Sequence, residues 1–132
     1  MLHMKQSVYE QMLTHLQTAY PLEGCGILGG PPGHATHFYA VENILRSPTA
    51  YEMDPTVQIQ VMISLEERGL DMVGIVHSHP AGPERPSPTD VAQAYYPDAV
   101  YVIVSLANRA QPVVKAFQIG DGRYKAVPLL VE

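Results

Sequence analysis

A single cysteine in 132 residues, Cys25, leaves no partner for an internal disulfide, and so fits a reducing compartment. Tryptophan is absent and phenylalanine occurs twice, so the aromatic character rests on eight tyrosines. Basic residues are scarce: 8 Lys and Arg stand against 13 Asp and Glu, a formal net charge of −5, and the cations form no cluster. Such a chain lacks a phosphate-tracking surface, which argues against nucleic acid as a partner. No apolar run approaches the roughly 20 residues needed to span a bilayer. The opening Met1-Leu2-His3-Met4-Lys5-Gln6 has neither the charged nor the apolar region of a secretory signal. Repeats and low-complexity tracts are also missing. These absences converge on a cytoplasmic protein that meets neither membrane nor nucleic acid. The length fits one domain, residues 1–132, large enough to bury about two-thirds of its unfolded surface.

What is present reads as alternating helices and strands. Val8, Met12 and Leu16 recur at helical spacing and predict an amphipathic helix from about Ser7 to Ala19, ended by Pro21. Gly24 to Gly30 reads as a short apolar strand whose small residues allow close backbone approach. Pro31-Pro32-Gly33 marks a turn before a strand through Phe38 to Val41. Asp54-Pro55 is a cap followed by proline at the first helical position, opening a helix that runs to Glu67 or Arg68 and stops at Gly69. Met72 to Val76 and Val100 to Val104 are continuous apolar runs, as in central strands covered on both faces. Val113 to Ile119 and Arg123 to Val127, joined by Gly120-Asp121-Gly122, predict a hairpin. The alternation implies an α/β or α+β sandwich, a mixed β-sheet flanked by helices.

Chemistry concentrates in His77-Ser78-His79-Pro80 and the turn-rich stretch that leads to Ser87-Pro88-Thr89-Asp90. If Val73 to Val76 is a buried strand, His77 and His79 point to the same side of it and Ser78 to the other. Ser87-Pro88-Thr89-Asp90 is a helix start, with serine as N-cap, proline at the first position and a carboxylate at the third. That start brings Asp90 back towards the histidines. Two imidazoles and a carboxylate on converging elements make a three-ligand zinc site with one position left for water, the mark of a catalytic metal. With this chain's composition, the joint pattern arises by chance about 4 times in 10,000.

The pattern resembles the JAMM (MPN-plus) metalloprotease motif, which also requires an upstream glutamate. Here that residue is Glu23, in Pro21-Leu22-Glu23-Gly24-Cys25-Gly26-Ile27-Leu28-Gly29-Gly30. The resemblance runs over nearly the whole chain, through Tyr51-Glu52-Met53-Asp54-Pro55, the histidine strand and Tyr96-Pro97-Asp98-Ala99-Val100 onward. Small bacterial members similar to the CysO-cysteine peptidases are the nearest in kind. The resemblance implies a cytidine-deaminase-like three-layer sandwich, one Zn²⁺ per chain on His77, His79 and Asp90, and Glu23 as general base. It assigns the Ser87 hydroxyl to the developing oxyanion. Both motif histidines are committed to metal, so Ser-His-Asp catalysis is disfavoured.

The implied substrate is the amide bond after the C-terminal Gly-Gly of a ubiquitin-like or sulfur-carrier protein, laid as an extended tail beside a strand edge. Arg46 to Glu52 is the expected contact for that tail. Three readings compete: release of cysteine from a carrier-protein-cysteine adduct, isopeptidase (desampylase-like) removal of modifiers from lysines, and a non-catalytic scaffold. Intact Glu23, His77, His79, Ser87 and Asp90 weaken the last. A nucleoside deaminase shares the implied fold but brings a Cys-x-x-Cys ligand pair, which one cysteine forbids. Cys25 shares Glu23's side of a strand and reads as a small buried hydrophobe before a redox thiol or extra ligand. His34 and His37 read as solvated, and His3 and His15 carry no metal-ligand spacing.

Overall fold

A computed structural model of the chain describes residues 1–132. A short strand β1 (Leu2–Met4) leads into α1 (Gln6–Ala19), followed by β2 (Cys25–Gly30), β3 (His34–Ala35) and β4 (His37–Val41). Then come α2 (Pro55–Glu67), β5 (Asp71–His79), α3 (Pro88–Ala92), β6 (Val100–Ser105), β7 (Val113–Gly120), β8 (Arg123–Val127) and β9 (Leu129–Val131). Six strands form one sheet in the order β4-β2-β5-β6-β7-β8. Within it β5 and β6 run parallel and every other pair runs antiparallel, so the sheet is mixed. A second, smaller sheet of order β3-β1-β9 is wholly parallel. It lies outside the elements expected from the sequence, because strands of two or three residues carry no readable periodicity.

The helices take opposite faces of the large sheet. Val8, Met12 and Leu16 of α1 are buried with Leu28, Val76, Val102 and Val104 in one apolar core. Leu65 of α2, with the half-buried Val57 and Val61, packs on Cys25, Ile27, Ile75, Tyr101 and Ile103 in the other. This gives three layers, helix, sheet and helix, and covers β5 and β6 on both sides. Their continuous apolar runs follow from that double cover. α2 starts where expected: Asp54 accepts from the amides of Thr56 at 3.0 Å and Val57 at 3.4 Å, with Pro55 at the first helical position. It stops at Gly69, whose φ of +68° suits a residue without a Cβ. No helix is long and apolar enough to cross a membrane.

α1 lies so close to the strand entering β2 that Gly24 has no room for a side chain. A Cβ there would stand 2.9 Å from Leu16 Cδ2 and 3.0 Å from Ala19 Cβ. We predict that Gly24→Ala destabilises the protein by about 1–3 kcal/mol, the usual cost of overpacking. Urea unfolding measures it, and an unchanged midpoint would refute the close packing.

Candidate metal centre

β5 is buried from Val73 onward and carries His77-Ser78-His79 at its C-terminal end. Its antiparallel ladder with β2 opposes Cys25 to His77. Beyond the ladder the pairing continues: Ser78 N donates to Gly24 O at 3.0 Å, and Gly24 N donates to Ser78 Oγ at 2.8 Å. Ser78 therefore faces away from the two histidines, as strand alternation requires, and pins the residue after Glu23. Glu23 stands in the link between α1 and β2, two residues before the strand begins.

His77 and His79 share one side of β5, with their Nε2 atoms 3.0 Å apart. Asp90, in α3, brings Oδ2 to 3.2 Å from His77 Nε2 and 3.1 Å from His79 Nε2. The three predicted ligand atoms thus form a nearly equilateral triangle. Asp90 is held there by the start of its own helix. Ser87 N donates to Asp90 Oδ2 at 2.8 Å while Asp90 N donates to Ser87 Oγ at 3.0 Å, a reciprocal cap. Ser87 Oγ is an acceptor in that pair, so its own proton stays uncommitted.

Glu23 completes the cluster. Its carboxylate oxygen and the ligand nitrogens of His77 and His79 all lie within 4.8 Å of one another, and all three residues are buried. No hydrogen bond reaches Glu23 Oε1. The backbone of Glu23 is held on both sides: its N–H donates to Ser47 O and its carbonyl accepts from Asn43 Nδ2, each at 2.9 Å.

Electrostatics follow from this crowding. Burial pushes the Glu23 carboxyl up to about 7, helped by Asp90 and opposed by His79. Burial lowers the pKa of His77. At His79 burial works the same way, but hydrogen bonds to Asp90 and to the Pro83 carbonyl outweigh it and raise the pKa. Burial alone would raise Asp90; bonds with both imidazoles and the Ser87 amide hold its carboxyl well below the usual range.

Three features suit a tetrahedral metal at this place. First, ligands 2.0–2.1 Å from zinc stand about 3.3 Å apart in a tetrahedron, close to the 3.0–3.2 Å edges here. Second, His79 Nδ1 is 2.7 Å from Pro83 O, which can only accept, so Nδ1 carries the proton and Nε2 presents its lone pair inward. Third, the unpartnered Glu23 oxygen lies beside the triangle, within 4.8 Å of the His77 and His79 nitrogens, where it can accept from a water or bind the ion itself. His77 and His79, together with Asp90 or Glu23, could hold the ion.

Other residues fall as follows. Cys25 is buried, donates to Val41 O at 3.3 Å and has its thiol pushed up to about 12 by burial, which makes it an inert core residue. His34 is exposed and stacks on His3, while His37 is half-buried beside Arg68. His15 Nε2 bonds the Cys25 carbonyl at 3.0 Å. Asn43 has no role in the sequence reading, and Tyr51 enters it only within the segment expected to meet the tail. Tyr51 stacks on His77 with ring centroids 4.4 Å apart, and Asn43 fixes the segment against Glu23. Asn43 sits just before a turn and Tyr51 in the irregular stretch after it, and neither belongs to a periodic pattern.

The chain is similar to known proteins along most of its length. The model of prokaryotic homologues of the JAB domain matches residues 5–120. The chain is 36% identical over 122 residues to a CysO-cysteine peptidase of Mycobacterium tuberculosis, covering 91% of this chain and 84% of that protein. It is 32% identical over 130 residues to a probable TtuB-protein conjugate cleaving protease of Thermus thermophilus, covering 98% and 83%. Among solved structures, a protein of Desulfitobacterium hafniense superposes with a TM-score of 0.91 at 34% identity, covering 100% of this chain and 93% of that one.

The raised pKa of Glu23 gives a test in metal-free protein. A carboxyl whose folded pKa lies near 7, above its ordinary 4.5, stabilises the fold fully at pH below the lower value. That contribution is lost as pH rises through the upper one. In chelator, Glu23→Gln should therefore gain melting temperature relative to wild type between pH 5 and pH 8. An equal difference at both pH values would refute it.

Proposed function

The chain belongs to the family of prokaryotic JAB-domain homologues, and from that premise we propose a zinc metallopeptidase that cuts after the C-terminal Gly-Gly of a ubiquitin-like or sulfur-carrier protein. The leaving group in this reading is cysteine, released from a carrier-protein-cysteine adduct. The observation that carries the proposal is the triangle of donor atoms with edges of 3.0–3.2 Å beside a buried, unpartnered glutamate oxygen. His77, His79 and Asp90 would hold the ion, which supplies Lewis acidity and brings a water's pKa towards ~7. Glu23 takes a proton from the attacking water and returns it to the leaving nitrogen as the amide C–N bond breaks. The Ser87 hydroxyl, whose proton the helix cap leaves free, donates to the oxygen that gains negative charge.

The tail has a place to lie. A cleft of about 410 Å³ reaches Asp90 and is walled by Leu45, Tyr51, Met53, Gln58 and Tyr96. This takes in part of the Arg46 to Glu52 segment. On α2 beside it, Ile59 and Ile63 are 57% and 50% exposed and lie four residues apart on one face. Exposed apolar side chains of this kind suit contact with the body of a carrier protein. We take residues 1–132 as one catalytic domain and place it in the cytoplasm, where the lone buried Cys25 stays reduced. Likeness to the TtuB-conjugate protease favours a second leaving group, a lysine side chain, under the same chemistry.

We expect Glu23→Gln to retain the metal and lose about 10²–10⁴ in turnover, and His77→Ala to lose the metal itself. Atomic emission and a cleavage assay measure both; equal metal content in His77→Ala, or undiminished cleavage by Glu23→Gln, would sink the assignment. Gly-Gly-cysteine and Gly-Gly-lysine adducts offered in parallel, with products weighed by mass spectrometry, separate the two leaving groups. Ile59→Glu should raise KM for a whole carrier protein and leave KM for a short Gly-Gly peptide alone.

A further inference from the structure

The two imidazoles of the site are held in different ways. His79 is oriented by a hydrogen bond, from Nδ1 to the Pro83 carbonyl at 2.7 Å. His77 has no such bond. Its side chain is 1% exposed, and its Nδ1 is buried without a partner. With Nε2 turned towards an ion, Nδ1 carries a proton that no acceptor receives. A metal-binding histidine ordinarily has its ring fixed by an acceptor at the outer nitrogen, because the torsion that turns the ring is broad when left to itself. What His77 meets instead is the face of Tyr51, with ring centroids 4.4 Å apart and planes 25° from parallel. A ring stacked that closely blocks rotation of the imidazole about its Cβ–Cγ bond, the motion that would swing Nε2 away from His79 and Asp90.

Tyr51 is itself anchored through the backbone on either side. Asn43 Nδ2 donates to Ala50 O at 3.0 Å, and Asn43 Oδ1 accepts from Glu52 N at 3.1 Å. One buried amide thus clamps the residues before and after the tyrosine, and Ile44 N adds a bond to Glu52 O at 2.9 Å. We infer that Tyr51 is a positioning residue for the metal: its ring, in place of a hydrogen bond, sets the direction in which His77 presents Nε2. The inference rests on the reading of His77 as a ligand and holds whether Asp90 or Glu23 completes the set. Tyr51 also walls the tail cleft, and the two roles have different signatures. A residue that only touches the tail shows in KM for a peptide. One that aims a ligand shows in metal affinity with no peptide present.

The test measures Zn²⁺ affinity by competition with a chromophoric chelator, in protein without substrate, together with the visible spectrum of the Co²⁺-loaded form. Tyr51→Leu should bind Zn²⁺ about 10- to 100-fold more weakly than wild type, the usual loss when the support of a ligand is removed, and should alter the Co²⁺ bands. Tyr51→Phe keeps the ring, drops only the hydroxyl and should match wild type in both. Tyr51→Met, flexible and without a flat face, should repeat the loss and stands in for Tyr51→Leu if that variant does not fold. Wild-type affinity in the flexible variants overturns the inference, even where KM for a Gly-Gly peptide rises. An equal loss in Tyr51→Phe overturns it too, by assigning the effect to the hydroxyl. Wild-type protein that binds no Zn²⁺ overturns the metal reading and the inference with it.

Discussion

Two imidazole nitrogens and a carboxylate oxygen held 3.0–3.2 Å apart in a buried place are stable only with positive charge among them. His79 cannot supply it as a neutral ring, because its outer nitrogen spends the proton on Pro83 O. No lysine or arginine pairs with Asp90, which meets only the two imidazoles and the Ser87 amide. Without a metal the protein must protonate an imidazole, and the pKa values of the trio split accordingly, His77 down and His79 up. A divalent cation removes that conflict. The rest of the structure can be read as scaffolding for that one requirement.

The scaffolding is mostly backbone. β5 is covered by α1 on one face and α2 on the other, so its register against β2 is fixed by packing as well as by the ladder. The Gly24–Ser78 pair extends that register beyond the regular strand and delivers Glu23 beside the histidines. The side chain of Ser78 points into the α1 layer, yet it governs where the carboxylate on the other face begins. α1 presses on Gly24 from the same layer. A change in α1, far from the chemistry in sequence, is thereby felt at the proposed base.

Legibility in the sequence followed locality. α1, α2, the histidine strand and the hairpin around Asp121 and Gly122 were readable because each carries its own period and its own stop signal. The Ser87 cap was readable for the same reason, and with it the direction from which Asp90 returns. The parallel sheet of β3, β1 and β9 was not, since it joins residues 2–4 to residues 129–131 through strands too short to show alternation. Nor was the strand's start at Cys25, one residue after the expected Gly24, because Gly24 reads equally well as strand or link. The Asn43 hub was invisible: its partners Glu23, Ala50, Leu45 and Glu52 are set by tertiary contact, and an asparagine in a loop has no pattern that announces them.

That hub matters more for selectivity than the metal does. A triangle of ligands and a nearby carboxylate cut any amide brought to them, so they cannot tell a cysteine leaving group from a lysine. Discrimination has to come from walls that touch the two sides of the scissile bond. One segment supplies Leu45, Tyr51 and Glu52 to the tail cleft and holds the Glu23 backbone through Asn43 and Ser47. A single buried amide, Asn43, fixes the segment through bonds to Glu23, Ala50, Leu45 and Glu52, so the cleft wall and the Glu23 backbone share one support. A wall residue such as Leu45 differs from the metal ligands in one respect: it can change the substrate accepted without disturbing how the bond is broken.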